Sequence, residues 1–208
     1  MMSLDDYILQ HITPEDPYLH DLYRATNLEL LRPRMASGHL QGSLLRMLVN
    51  IAQPKHILEV GTFSGYATLC MAAALPEGGR ITTFEINDEQ EEFTRPWFDG
   101  SPYADRIEFV IGDVLDILPT RNDTFDMAYV DGNKRQYIDY YDLILPRLTS
   151  GGLFIADNTL WNGNVNDPAH HDAQTQAIRD FNDRVANDPQ VETIILPIRD
   201  GLTLVRKK

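Results

Sequence analysis

Five short β-rich runs follow Pro54: "HILEV" (56–60), "RITTFE" (80–85), "IEFVIG" (107–112), "FDMAYVD" (125–131) and "GLFIADN" (152–158), each separated from the next by a helix-like segment. Parallel strands need a crossover long enough to return the chain, and a helix is the usual one, so this alternation predicts an α/β fold with a parallel sheet wrapped by helices. The ending breaks the pattern. "VETIILPI" (191–198) and "LTLV" (202–205) are separated only by "RDG", too short for a helical crossover, and Asp200-Gly201 is a hairpin signal. The last two strands are therefore expected to be antiparallel to each other. Ahead of the sheet, segments 17–31 and 39–53 read as helices; in the second, Leu40, Leu44, Leu45, Leu48, Ile51 and Ala52 recur at helical spacing and predict the buried face. With 208 residues, 43% of them hydrophobic, the chain is read as one domain over 1–208, a helical preface (1–53) followed by a sheet-bearing core (54–208).

The charge balance excludes some functions. A net charge of −13 disfavours a polyanionic partner, because nucleic-acid binding normally leaves a basic footprint. No stretch approaches the roughly 20 apolar residues of a membrane span. "MMSLDDYILQ" carries acids where a secretory signal has basic residues, so the expected location is cytoplasmic. The single cysteine, Cys70, lies in "TLCMAAAL" and reads as core packing.

"ILEVGTFSGYAT" (57–68) is a strand, a glycine turn and a helix start. Gly61 and Gly65 allow a tight turn and close approach to a ligand, and the helix beginning near Tyr66 offers free N–H groups. Twenty residues after Gly65, Glu85 ends the next strand, where doubly wound folds place an acid that binds ribose hydroxyls. Glu59 precedes the turn, and its carboxylate would repel a pyrophosphate and suit a cationic nucleoside. S-adenosylmethionine is such a ligand, and the missing third glycine also disfavours NAD. Asp113 falls where the adenine edge would lie; taken alone it reads as a helix cap.

"YVDGNKRQY" (129–137) and "FIADNTLWNG" (154–163) share one design, a buried strand that delivers oxygen ligands at its carboxyl end. If the two strands are neighbours, Asp131, Asp157 and Asn158 converge on one crevice, a hard-oxygen set for Mg²⁺, Ca²⁺ or Mn²⁺ and not for zinc. Lys134 lies one turn beyond Asp131 and would hang over the same crevice, where a nearby cation disfavours its charged form and makes it a candidate general base. Trp161 could wall an aromatic ligand or pack the loop. His170-His171 have no partner ligands at suitable spacing and read as solvated.

Taken together, "RPRMASGHLQG", "ILEVGTFSGYAT", "TTFEIN", "FDMAYVDGNKRQY", "IADNTLWNGNV" and "RDGLTLV" resemble the cation-dependent O-methyltransferases of the catechol and caffeoyl-coenzyme A type, over nearly the whole chain. The resemblance implies a Rossmann-like class I methyltransferase: seven strands, mostly parallel, the last antiparallel, with helices on both faces. It implies Asp131, Asp157 and Asn158 as metal ligands, Lys134 as general base and Glu85 as the ribose acid. Glu59, Gly61, Ser64, Gly65, Tyr66, Asp113 and Asp131 fall on cofactor-contact positions, and Met35 and Ser37 on the stretch that closes over the methionine end. A homodimer acting on a small catechol-like or hydroxycinnamoyl-like aromatic is the corresponding expectation.

Two departures bear on substrate. Where the animal catechol enzymes hold the second hydroxyl with a glutamate, this chain has Ile194, and Glu192 would have to reach from elsewhere. The plant-type enzymes grip coenzyme A with basic residues near their N-terminal helices, whereas residues 1–55 here hold five basic side chains against six acids, a net of −1. Methylation of a hydroxylated uridine in tRNA, and binding of S-adenosylmethionine without catalysis, are the competing readings. The acidic charge opposes the first; the joint presence of Lys134 and three oxygen ligands opposes the second.

Overall fold

The computed structural model describes residues 2–208. Helices α1 (Leu4–Gln10), α2 (Pro17–Glu29) and α3 (Gly38–Ala52) precede β1 (His56–Val60). The chain then alternates through α4 (Tyr66–Ala72), β2 (Arg80–Glu85), α5 (Gln90–Asp99), β3 (Ile107–Ile111), α6 (Val114–Ile117), β4 (Phe125–Val130), α7 (Tyr137–Ile144), β5 (Leu148–Asp157) and α8 (Ala173–Ala186). It closes on β6 (Val191–Leu196) and β7 (Leu202–Lys207). Several starts follow from local chemistry: Asp16 caps α2 with Pro17 at its first position, and Asp172 caps α8 by accepting from the N–H groups of Gln174 and Thr175.

The seven strands form one sheet in the order β3-β2-β1-β4-β5-β7-β6. The pairs from β3 to β5 are parallel, and β7 is antiparallel to both of its neighbours. This is the expected topology, including the Asp200-Gly201 hairpin. The order reverses between β1 and β4, and these adjacent strands leave a crevice outside their carboxyl ends.

Alternation along the strands sorts the core into two faces. Leu58, Val60, Ala128, Val130, Phe154 and Ala156 pack with Tyr137, Tyr141 and Phe181 on one side. Ile57, Met127, Tyr129 and Ile155 pack with Leu45, Val49 and Met71 on the other. Asp131 and Asp157 continue the second series, so both carboxylates fall on the side covered by α3 and α4.

The buried face of α3 differs from the expected one. Gln41, Gly42, Leu45 and Val49 are buried; Ile51 is 73% exposed, and Ala52 is exposed as well. The contact with α4 decides the rotation: a Cβ on Gly42 would lie 2.6 Å from Cys70 Sγ, so the helices cross closely there and face one another through these small groups. Cys70 is free and buried, as read from its apolar neighbours. No helix among the described residues is long and apolar enough to cross a membrane.

Candidate active site

The site begins at the turn after β1. Gly61 has φ 95°, and a Cβ there would stand 2.4 Å from the Asp131 carbonyl oxygen. Asp131 N donates to Val60 O at 2.8 Å, so the ends of β1 and β4 meet at this glycine and present Asp131 to the cleft beyond. Gly65, φ 80°, starts α4 against Phe98, where a Cβ would approach the ring to 2.4 Å.

Met35, Ser37, Gly61, Ser64, Tyr66 and Asp131 line one narrow cleft with about 20 Å³ of free space, and Tyr129 closes its floor. A nucleoside-sized ligand enters only if the Met35–Ser37 wall moves. Ser64 Oγ is buried on this cleft without a hydrogen-bond partner, the condition of an atom that faces a ligand, so the cleft suits a nucleoside carrying polar groups.

Three other expected cofactor contacts, Glu59, Glu85 and Asp113, lie behind the lining residues, Glu85 being hydrogen-bonded to Phe63 of that lining. Glu59 is fully buried and turns toward Thr68, whose hydroxyl donates to Oε2, while Oε1 has no partner. Burial, with the nearby Asp131 and Glu85 charges, pushes its carboxyl up to about 8 against the pull of Thr68 and Thr83. Burial thus favours the protonated carboxyl in the ligand-free protein. Glu85 accepts from Phe63 N at 2.8 Å and Asn87 N at 2.9 Å, which fixes its carboxylate at the end of β2. Asp113 is the N-cap of α6, accepting from Leu115 N at 2.8 Å.

The paired strands β4 and β5 bring the second group together. Lys134, buried in a 3-10 turn, donates from Nζ to Asp131 Oδ1 and to the Tyr137 hydroxyl, both at 2.6 Å. Tyr137 in turn donates to Asp157 O at 2.8 Å, so one phenol joins the lysine to the end of β5. Asp157 is 2% exposed; its Oδ2 accepts from Gln41 Nε2 at 2.5 Å and from the Tyr129 hydroxyl at 3.0 Å, and its Oδ1 from Asn158 N at 2.7 Å. Burial and the adjacent carboxylates raise Tyr129 well above the usual phenol range, which keeps it a donor. Asn158 adopts φ 56°, and its side chain borders a larger cavity of about 680 Å³.

The donor set fits a hard divalent cation. Burial pushes Asp131 up to about 6, with Asp157 adding to the rise and Lys134 opposing it, and a cation between the two carboxylates would relieve that cost. No cluster of three or more His, Cys, Asp or Glu side chains occurs among the described residues. Two carboxylates, one amide oxygen and the ligand's own oxygens would have to complete the shell, which suits Mg²⁺, Ca²⁺ or Mn²⁺.

Leu160, Asn162, Gly163, Val165 and Asn166 line the larger cavity with Arg34, Arg199 and Asp200. Trp161, partly buried and at φ 48°, lies in sequence between the lining residues Leu160 and Asn162. Ile194 is 56% exposed on the edge strand β6, and Glu192 faces Arg206 at 3.5 Å, so neither reaches the site. His170 and His171 are exposed, as expected.

Gln41, Tyr129, Tyr137 and Arg199 were not singled out in the sequence. Arg199 donates to Ser37 O, to Gln41 Oε1 at 3.1 Å and to Arg34 O at 3.3 Å, tying the hairpin turn to the wall of the narrow cleft. A glutamine placed four residues before Leu45 on an apolar helix face was the one available signal.

A seven-stranded sheet with β7 inserted antiparallel, and a glycine-turn cleft at its switch point, define a class I methyltransferase fold. Residues 10–208 match the O-methyltransferase family, and the chain belongs to it. A caffeoyl-CoA O-methyltransferase of Petroselinum crispum is 33% identical over 218 residues, covering 99% of this chain and 90% of that protein. An O-methyltransferase of Streptomyces achromogenes involved in tomaymycin synthesis, solved with SAM, superposes with a TM-score of 0.89 at 33% identity, covering 99% of this chain and 96% of that one. An O-methyltransferase of Bacillus cereus, solved with SAH, gives 0.91 at 27% identity, covering 99% and 97%.

Proposed function

We propose that this O-methyltransferase transfers the methyl group of S-adenosylmethionine to one hydroxyl of a catechol-like or hydroxycinnamoyl-like aromatic, with a divalent cation, Mg²⁺ in the first instance, held by Asp131, Asp157 and Asn158. The reading is carried by one observation: a buried lysine, 2.6 Å from Asp131, stands at the carboxyl edge of the strand that pairs with the Asp157-Asn158 strand. The whole chain acts as one catalytic unit in this reading.

When bound, the cation would lower the pKa of a coordinated hydroxyl and the sulfonium would offer its methyl carbon to the resulting oxygen. With its ammonium form disfavoured by the adjacent cation, Lys134 is neutral and takes the hydroxyl proton on the Nζ lone pair, while its two N–H bonds to Tyr137 and Asp131 hold that nitrogen in place. Gln41 and Tyr129 orient Asp157 by donating to Oδ2. Gly61 and Ser64 border the cofactor, and the Met35–Ser37 wall excludes water from it. The larger cavity, open beside Asn158, takes the acceptor ring. The reading extends to a homodimer, supported by the exposed Met47 (57%) and Ile51 (73%) along α3.

The test is transfer of labelled methyl from S-adenosylmethionine to 3,4-dihydroxyphenyl acceptors, with Mg²⁺ and then with EDTA. Turnover that EDTA removes and Mg²⁺ restores is expected. Turnover indifferent to EDTA would overturn the cation's role, and none with any cation would overturn the acceptor class.

A further inference from the structure

The larger cavity is charged in a way the reaction does not require. Its lining carries two arginines, Arg34 and Arg199, against one acid, Asp200, in a protein whose net charge is −13. Neither arginine pairs with a carboxylate among the described residues. Arg199 spends its hydrogen bonds on the carbonyls of Ser37 and Arg34 and on the Gln41 amide, none of which carries a charge. The Asp200 carboxylate accepts the Asn162 N–H and so is turned toward the 161–162 turn.

The arginines also stand at a defined place relative to the reacting end. Gln41 accepts from Arg199 through Oε1 and donates to Asp157 through Nε2, so a single carboxamide separates the Arg199 guanidinium from the carboxylate at the end of β5. Arg34 and Arg199 line the same cavity as Asn158, so a ring that meets Asn158 through a hydroxyl lies in a cavity whose wall carries both guanidinium groups. Arginine is the side chain best matched to a planar carboxylate, by charge and by its forked donors.

We infer that the cavity selects an acceptor whose ring bears a carboxylate in addition to the methylated hydroxyl, with Arg34 and Arg199 as specificity-determining residues. The substrate class is thus a dihydroxybenzoate or dihydroxycinnamate used as the free acid. The inference rests on the O-methyltransferase reading above. A volume of about 680 Å³ accommodates such an acid.

The experiment compares 3,4-dihydroxycinnamate, its uncharged methyl ester and its coenzyme A thioester, by calorimetric binding to the protein with S-adenosylhomocysteine and Mg²⁺ and by kcat/KM. The free acid should exceed the ester about tenfold in both readouts, the effect of one charge-assisted contact in a partly open site. That ratio should shrink toward one at about 0.5 M salt. Arg34→Gln should bring it close to one, while Arg34→Lys should retain part of it. Arg34 is the cleaner target, because Arg199 also holds the Met35–Ser37 wall.

Equal affinity for acid and ester, or a preference untouched by Arg34→Gln, would overturn the inference while leaving ester turnover to support the methyltransferase reading. A thioester preferred over the free acid through Arg34 would also overturn it, since the bound anion would then be phosphate. Absence of turnover with all three compounds would sink the acceptor reading itself, and the binding ratio would still judge the arginine pair.

Discussion

Glu59 gives a prediction whose size follows from its surroundings. Its carboxyl is fully buried, has one partnered oxygen and one orphan, and is pushed from its ordinary 4.5 up to about 8. The folded state therefore binds this proton more tightly than the unfolded chain. Its contribution to stability is complete below about pH 4.5 and is lost as pH rises through about 8. Between those limits each pH unit costs about 1.4 kcal/mol, so wild type should lose about 2.5 kcal/mol from pH 5 to pH 7 through this group alone. Glu59→Gln keeps the shape and removes the titration. Urea unfolding of the cofactor-free protein in EDTA, at several pH values between 5 and 8, should show the variant gaining on wild type by that amount, with unchanged m values. The comparison between the two proteins cancels the acids that do not sense Glu59, and repeating it in an Asp131→Asn background removes the one coupled carboxylate that titrates in the same range. A stability difference that stays constant across this range would refute the reasoning and mean that Glu59 is ionised in the folded protein.

Lys134→Met and Asp157→Ala should each cost at least about a hundredfold in turnover, for different reasons. The lysine variant should keep its Mg²⁺ affinity and the aspartate variant should lose it; equal affinities by calorimetry would contradict that division of roles. Gly61→Ala sets a methyl 2.4 Å from the Asp131 carbonyl at φ 95°, so it should destabilise by about 2 kcal/mol or more and weaken S-adenosylhomocysteine binding. A normal thermal midpoint with normal affinity would show that β1 and β4 separate easily there.

Much of this fold could be read directly, because local periodicity and turn chemistry report on segments a few residues long. The β/α alternation, the Gly61–Gly65 turn and the Asp200-Gly201 hairpin all correspond to the sheet observed. Asp131, Lys134 and Asp157 share one edge because oxygen-bearing residues stand at the carboxyl ends of strands that pair. The buried face of α3 was less legible, since Ile51 is as apolar as Leu45 and Val49, yet the close Gly42–Cys70 crossing buries Leu45 and Val49, leaves Leu44 and Leu48 partly buried and turns Ile51 out.

The order of elements, the sheet's topology and the oxygen-bearing side chains at its edge are legible from the residues, since each depends on short-range pattern. Tertiary structure alone decided which distant groups meet: Gln41 with Asp157 across 116 positions, and Arg199 with Ser37 across 162. It also decided that Glu59 is fully buried with one carboxylate oxygen left without a partner. Helix rotation, burial and charge environment arise only when separate segments pack, and no local pattern encodes the dielectric around a side chain.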